Sequence, residues 1–189
     1  LIVSYKDDAT AFDGQKKGTI VGKGAINNRM TNHIFKLLEQ KGVPTHLVEE
    51  LNDRETVVKK VEIVPLEVII RNYSAGSFAK KLGMEEGIKL ACPTLEFSYK
   101  NDDLHDPFIN GYYALALNLA TREEIDVITR YAFIVNEVMQ EYFAGLGIDL
   151  IDFKIEFGRL ADGTVILADE VSPDTCRLWD KETHEKLDK

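Results

Sequence analysis

The spacing of apolar and polar positions divides this 189-residue chain into early strands, a long late helix and a final hairpin. LIVSYKD, residues 1–7, predicts a strand, and the Gly- and Lys-rich stretch 8–24 predicts a loop. From 25 to 42, Ile26, Met30, Ile34, Phe35 and Leu38 fall on one helical face, and Gly42 with Pro44 closes the helix. THLVEEL (45–51), TVVKKVEIV (56–64) and LEVIIRNY (66–73) read as strands, with Pro65 marking a bulge or a sheet edge between the last two. SFAKKLG (77–83) is a short helix ended by Gly83. Residues 85–120 are mixed and turn-rich. Thr121 and Glu124 have capping-box spacing, and Ile125, Ile128, Ala132, Val135, Met139 and Phe143 form a core stripe behind them. LIDFKIEFG (150–158) and TVILADE (164–170) are strands around LADG. Strands, then a helix, then a hairpin make an α+β pattern of two lobes sharing a cleft. Residues 1–70 are expected to form a mainly β lobe with one helix, and 71–189 an α+β lobe. The chain opens on Leu1 within a strand-like run and stops at EKLDK, so both ends are expected to be incomplete.

Composition narrows the function classes. The formal net charge of −9 repels a nucleic-acid backbone, so no nucleic-acid partner is expected. Small phosphorylated ligands remain compatible, because a few placed cations or a metal reverse the field locally. The apolar runs are too short to span a bilayer, no secretory leader opens the sequence, and Cys92 and Cys176 form no paired motif. A cytoplasmic setting with reduced thiols and no membrane partner is the expectation. The four histidines show no metal spacing.

Candidate chemistry gathers in the hairpin. Strand alternation puts Asp152, Lys154 and Glu156 on one face and Phe153, Ile155 and Phe157 on the other. If Asp162-Gly163 makes a two-residue turn, Ala161 pairs with Thr164 and Glu156 lies opposite Asp169. Carboxylates opposed at roughly 5 Å repel unless a proton or a cation sits between them. With oxygen donors only, Mg²⁺ is the fitting metal. A longer loop slips this pairing. Lys154 either balances the two acids or points at a phosphate or carboxylate. In RNYSAGS, Ser77 is a candidate cap for the short helix and Arg71 offers a fork suited to phosphate; a plain strand-to-helix turn explains the stretch equally.

DFKIEFG, ILADEVSPDTCRLWD, VPLEVIIRNYSAGSFAKKLG, GKGAINNRMTNHIF and KNDDLHDPFIN together resemble the SAICAR synthetase family, in family order from Tyr5 to Lys189. The resemblance implies a two-lobed fold with a nucleotide cleft, related to ATP-grasp and kinase-like folds. It implies a ligase that uses ATP and Mg²⁺ to join L-aspartate to carboxyaminoimidazole ribonucleotide, giving SAICAR, ADP and phosphate. The family's chemistry is activation of the substrate carboxylate by phosphorylation, then attack by the aspartate amine. Many members form dimers.

By the same resemblance, Glu156 and Asp169 hold Mg²⁺ and ATP, and Lys154 and Asp152 line the catalytic floor. Arg71, Ser77 and Arg177 bind the ribonucleotide's 5′-phosphate, and Asp174 contacts its sugar or base. Lys100 and Asp106 belong to a cleft loop, and Lys59, with Lys60, lies where adenine meets backbone groups. Lys23, Asn27 and Asn28 either touch substrate or, for the asparagines, cap a helix. The family's N-terminal Gly-Lys-Ala-Lys segment, which covers the ATP phosphates, and its C-terminal helix have no counterpart in this sequence. A phosphotransferase acting on a hydroxyl acceptor and a non-catalytic nucleotide-binding module are the rival readings.

Overall fold

In the computed structural model, which describes residues 1–11 and 16–188, the chain runs β1 (Ile2–Ser4), β2 (Asp8–Ala11), β3 (Lys16–Thr19), α1 (Lys23–Gln40), β4 (Leu47–Glu50), β5 (Glu55–Val58), β6 (Glu62–Tyr73) and α2 (Gly76–Leu82). It continues through β7 (Lys89–Tyr99), a 3-10 turn at Asp102–Leu104, β8 (Phe108–Ile109), α3 (Gly111–Ala116), α4 (Arg122–Ala144), β9 (Ile148–Arg159), β10 (Val165–Ala168) and β11 (Cys176–Asp180). A three-stranded sheet has the order β1-β5-β4. A larger antiparallel sheet runs β10-β9-β6-β7-β8, with β11 also on β9. β10 and β11 pair with β9 through its C-terminal and N-terminal halves respectively, so the loop between them leaves the sheet at a seam. The fold is α+β, as expected. The boundary expected after residue 70 falls inside β6, a continuous twelve-residue strand.

One face of the large sheet carries Val68, Ile70, Phe97, Phe153, Ile155, Phe157 and Leu167, all under 5% exposed. The stripe of α4 covers it, and Ile128, Ala132, Val135 and Met139 are fully buried. The capping box at Thr121 is present: Thr121 Oγ1 accepts from Glu124 N (3.1 Å) and Glu124 Oε1 from Thr121 N (2.9 Å). Arg159 ties this helix start to the sheet through the Glu124 carboxylate.

Several expectations need correction. The stretch 8–24 is not a plain loop, because β2 and β3 form a hairpin with Asp8 opposite Thr19, and α1 begins at Lys23. In α1, Ile34, Phe35 and Leu38 are buried as expected, but Ile26 is 59% exposed. The first three turns instead bury Asn27, Asn28, Thr31 and Asn32, because their neighbours offer polar groups. Asn28 Nδ2 donates to Asn52 O (3.0 Å), Asn32 Nδ2 to Thr56 Oγ1 (2.7 Å) and Thr31 Oγ1 to Val171 O (3.1 Å). Neither Asn27 nor Asn28 caps the helix. That end is served by Asp7, whose carboxylate accepts from Gly22 N (3.1 Å) and Gly24 N (2.9 Å) while Arg54 grips it. Gly24 is required here: a Cβ would lie 2.5 Å from Tyr5 O. Residues 85–120 contain an eleven-residue strand, β7, and the helix α3. Pro65 does mark a bulge, since the β6–β9 register shifts between Ile63 and Glu67.

The final hairpin also departs from its expected register. Leu160 N donates to Thr164 O (2.9 Å), Gly163 N to Leu160 O (2.9 Å), and Gly163 has φ +85°. The loop is therefore Ala161–Gly163, three residues with glycine in the left-handed position. Ala168, not Asp169, lies opposite Glu156.

Candidate functional site

The uncovered face of the large sheet presents its polar residues in cross-strand rows. Directly paired residues on antiparallel strands share a face, so Thr94, Arg71, Asp152 and Arg177 form one row across β7, β6, β9 and β11. The next row contains Glu96, Ile69 and Lys154, and the next Ser98, Glu67, Glu156 and Ala168. A cavity of about 270 Å³ opens over the first two rows, lined by Ile69, Arg71, Asp152, Lys154, Asp174 and Arg177 among others.

At one end of the cavity two guanidinium groups share one carboxylate oxygen. Asp152 Oδ2 accepts from Arg71 Nη1 (2.6 Å) and from Arg177 Nη1 (2.7 Å). Arg71, 4% exposed, is committed on every nitrogen: Nε donates to Glu96 (2.9 Å), Nη1 also to Ala75 O (3.4 Å) and Nη2 to Ser77 Oγ (3.1 Å). Arg177 is more open, with 40% of its side chain exposed. The cap of α2 is Ala75, without a side-chain bond, so Ser77 is not the expected cap; its hydroxyl serves Arg71 instead. Gly76 has φ +54°, and a Cβ on it would meet Arg177 Nη2 at 2.4 Å. Arg177 thus lies flat against the start of α2.

At the other end carboxylates predominate. Glu156, 4% exposed, accepts from Lys100 Nζ at both oxygens (2.6 and 2.7 Å), and Lys154 Nζ donates to Glu67. Asp169 follows β10 with φ +58°, a left-handed conformation that turns its side chain out of the strand's alternation. Burial raises the Glu156 carboxyl above its usual range, and the Asp169 charge adds to this. Desolvation by the surrounding protein also raises Asp169, even though part of its side chain stays exposed, with the Glu170 charge next. Glu170 is raised chiefly by burial, and its Oε2 is buried without a partner. Lys100 and Lys154 face Glu67, Glu156 and Asp169 in this corner, and Lys23 with Lys154 acts on Glu170. Four carboxylates outnumber Lys100, Lys154 and a Lys23 already paired with Asp174, and hard oxygen donors that penalise one another's charge suit Mg²⁺. Glu156 and Asp169 fit the metal even though they are not directly paired across the hairpin. Among the described residues, no group of three or more His, Cys, Asp and Glu forms a metal cage.

Between the ends, Asp174 accepts from Asn27 Nδ2 (2.8 Å) and pairs with Lys23 Nζ (2.6 Å), so the start of α1 meets the loop after β10. Asn28 is structural. Asp106 Oδ1 accepts from Asn101 N (2.7 Å) and shapes the loop that carries Lys100. Lys59 stands apart: its side chain is exposed on the link from β5 to β6, and its backbone N–H donates to His46 O (2.7 Å). Both cysteines are free thiols; Cys176 is buried and pushed up to about 12 by burial. Sequence reasoning missed Glu67 and Glu96 and gave Glu170, beside Asp169, no role of its own. Glu67 carried a usable signal, since it sits four residues before Arg71 on an apolar strand and so shares its face.

A family model for SAICAR synthetase matches residues 1–189. The chain belongs to the SAICAR synthetase family. Membership makes it an ATP-dependent ligase of purine biosynthesis. The phosphoribosylaminoimidazole-succinocarboxamide synthase of Lachnoclostridium phytofermentans is 75% identical over 189 residues, all of this chain and 80% of that protein. The crystal structure of the Ehrlichia chaffeensis synthase superposes with a TM-score of 0.95 at 41% identity, covering 98% of this chain and 79% of that one. A SAICAR synthetase in complex with ADP superposes with a TM-score of 0.95 at 47% identity, with coverage of 98% and 79%. Among the described residues no helix is long and apolar enough to cross a membrane.

Proposed function

We propose that this site condenses L-aspartate with the carboxylate of carboxyaminoimidazole ribonucleotide, using ATP and Mg²⁺, and that it works in the cytoplasm, where both thiols stay reduced. The observation that carries the reading is the division of one sheet face into an arginine end and a carboxylate end, with Lys154 between them. Arg177 is the principal phosphate contact because it has open donors. Arg71 and Ser77 hold Asp152, and through it the Arg177 guanidinium, in place. Asp174, braced by Lys23 and Asn27, is placed to accept hydrogen bonds from the sugar or base.

Glu156 and Asp169 would hold Mg²⁺. Bound there, the ion would neutralise the triphosphate and spread the charge of the transferring phosphoryl group. Lys100 restrains the Glu156 carboxylate, and Lys154, 41% exposed, is free to swing from Glu67 to the substrate carboxylate and favour its approach. The exposed position of Lys59 leaves its backbone as the adenine contact. The rival phosphotransferase would consume ATP with a hydroxyl acceptor and ignore aspartate.

The test is ADP release by the full-length protein. It should require the carboxylated ribonucleotide, L-aspartate and Mg²⁺ together. Release without aspartate, or none with all three, overturns the reading. Molecular mass in solution tests the homodimer expected from the family.

A further inference from the structure

Residues 83–88 leave α2 and fold back against its start. Ser74, fully buried, pins them: its N–H donates to Ile88 O (2.8 Å), its Oγ donates to Glu85 O (2.6 Å) and accepts from Ile88 N (2.9 Å), and Gly87 N donates to Ser74 O (2.8 Å). This clamp fixes the backbone on both sides of Glu86 against the start of α2. Glu86 Oε1 accepts from Gly76 N (2.9 Å), the residue on which Arg177 lies, and Oε2 is 3.3 Å from Lys186 Nζ. The Gly76 N–H lowers the Glu86 carboxyl most, with Lys186 and Arg177 adding to it. A side-chain anion therefore already occupies a backbone donor next to the most open guanidinium of the site.

We propose that Glu86 is an internal competitor of the substrate phosphate: its carboxylate holds the Gly76 N–H beside Arg177 in the unliganded protein and turns to Lys186 when phosphate arrives. The proposal rests on the phosphate reading of Arg177. A phosphomonoester carries nearly two charges and three acceptor oxygens, so it displaces one carboxylate where a singly charged anion does not. Glu86 would thus trade affinity for selectivity toward a dianion.

The test uses Glu86→Gln and Glu86→Ala in the full-length protein. Gln keeps an acceptor for Gly76 N–H and guards against a loss of folding. Thermal-shift titration with inorganic phosphate gives a readout independent of turnover, beside KM values for ribonucleotide and aspartate. Both variants should lower the apparent Kd for phosphate and the ribonucleotide KM roughly fivefold, equal to about 1 kcal/mol at 1.4 kcal/mol per decade. The aspartate KM should not move. Phosphate binding that is unchanged or weaker in both variants overturns the proposal and leaves Glu86 as a support for its loop. Arg177→Met separates the two possible failures. If phosphate affinity ignores that substitution, the phosphate reading itself fails; if it weakens while the Glu86 variants change nothing, only the competitor role falls.

Discussion

Asp152 decides what single substitutions at the arginine end can report. It is 4% exposed and neutralised by two guanidinium groups. Arg71→Ala leaves Glu96 without its guanidinium and Asp152 with Arg177 alone on a buried face, and removing one partner of a buried pair costs about 3–5 kcal/mol, so that variant reports folding before binding. Arg177→Met is the cleaner probe: it should raise the ribonucleotide KM about tenfold to a hundredfold, the worth of charge-assisted hydrogen bonds, and leave the aspartate KM in place. Asp169→Asn should abolish Mg²⁺-dependent turnover without lowering Tm, since it relieves repulsion with Glu170 and Glu156 and Asn tolerates positive φ. Retained turnover would remove Asp169 from the metal. His46 makes a separate prediction. Burial lowers its pKa to about 4, against a hydrogen bond to the Asp169 backbone, and the Lys59 charge adds to the lowering. Between the ordinary value of 6.5 and about 4 the unfolded chain binds more protons, so this contribution is intact above 6.5 and is lost as pH falls. The loss is on the order of 3 kcal/mol. Urea denaturation of His46→Phe at pH 7 and pH 4.5 should show a smaller decline than the native protein.

Among the elements, α4 was legible in full because capping box and apolar stripe agree, and both are local. Thr121→Ala should cost about 1 kcal/mol, visible as a lower Tm with unchanged KM values. Strand β9 was equally legible, with its acids on one face and its aromatics on the other. What the sequence hid was relational. Glu156 and Asp169 stand out in the sequence, but the count that set them opposite each other assumed a two-residue turn, and Asp-Gly fits the three-residue loop as well, with Gly163 in the left-handed position. The amide-lined start of α1 was hidden because a burial stripe can be polar when its neighbours supply carbonyls. The β2–β3 hairpin was hidden because Gly18 and Lys17 carry no apolar alternation. Lys23 and Asp174, 151 positions apart in sequence, meet only through the fold.

Across the whole molecule, the carboxylate corner links pH and stability. Folded-state pKa values of Glu156, Asp169 and Glu170 lie above their ordinary values, so the folded protein holds more protons there than the unfolded chain. Their contribution is present below the ordinary carboxylate range and is lost as pH rises through the raised values. If Mg²⁺ is held there it would take the deprotonated carboxylates, so it should raise Tm more at pH 7.5 than at pH 5, and ATP should enlarge the difference. Equal shifts at both pH values would place the ion elsewhere. The Ala161–Gly163 loop also limits how this chain can diverge. Its length acts as a ruler for β10. Deleting one residue would turn Val165 through Ala168 inside out, trade Leu167 for its neighbour against the helix layer, and carry Asp169 one rung along the ladder. Lineages can therefore vary Asp162 at the cost of one local bond, its carboxylate accepting from Thr164 N (2.9 Å), but an insertion or deletion in that tight loop would miswire core and carboxylate corner in one event.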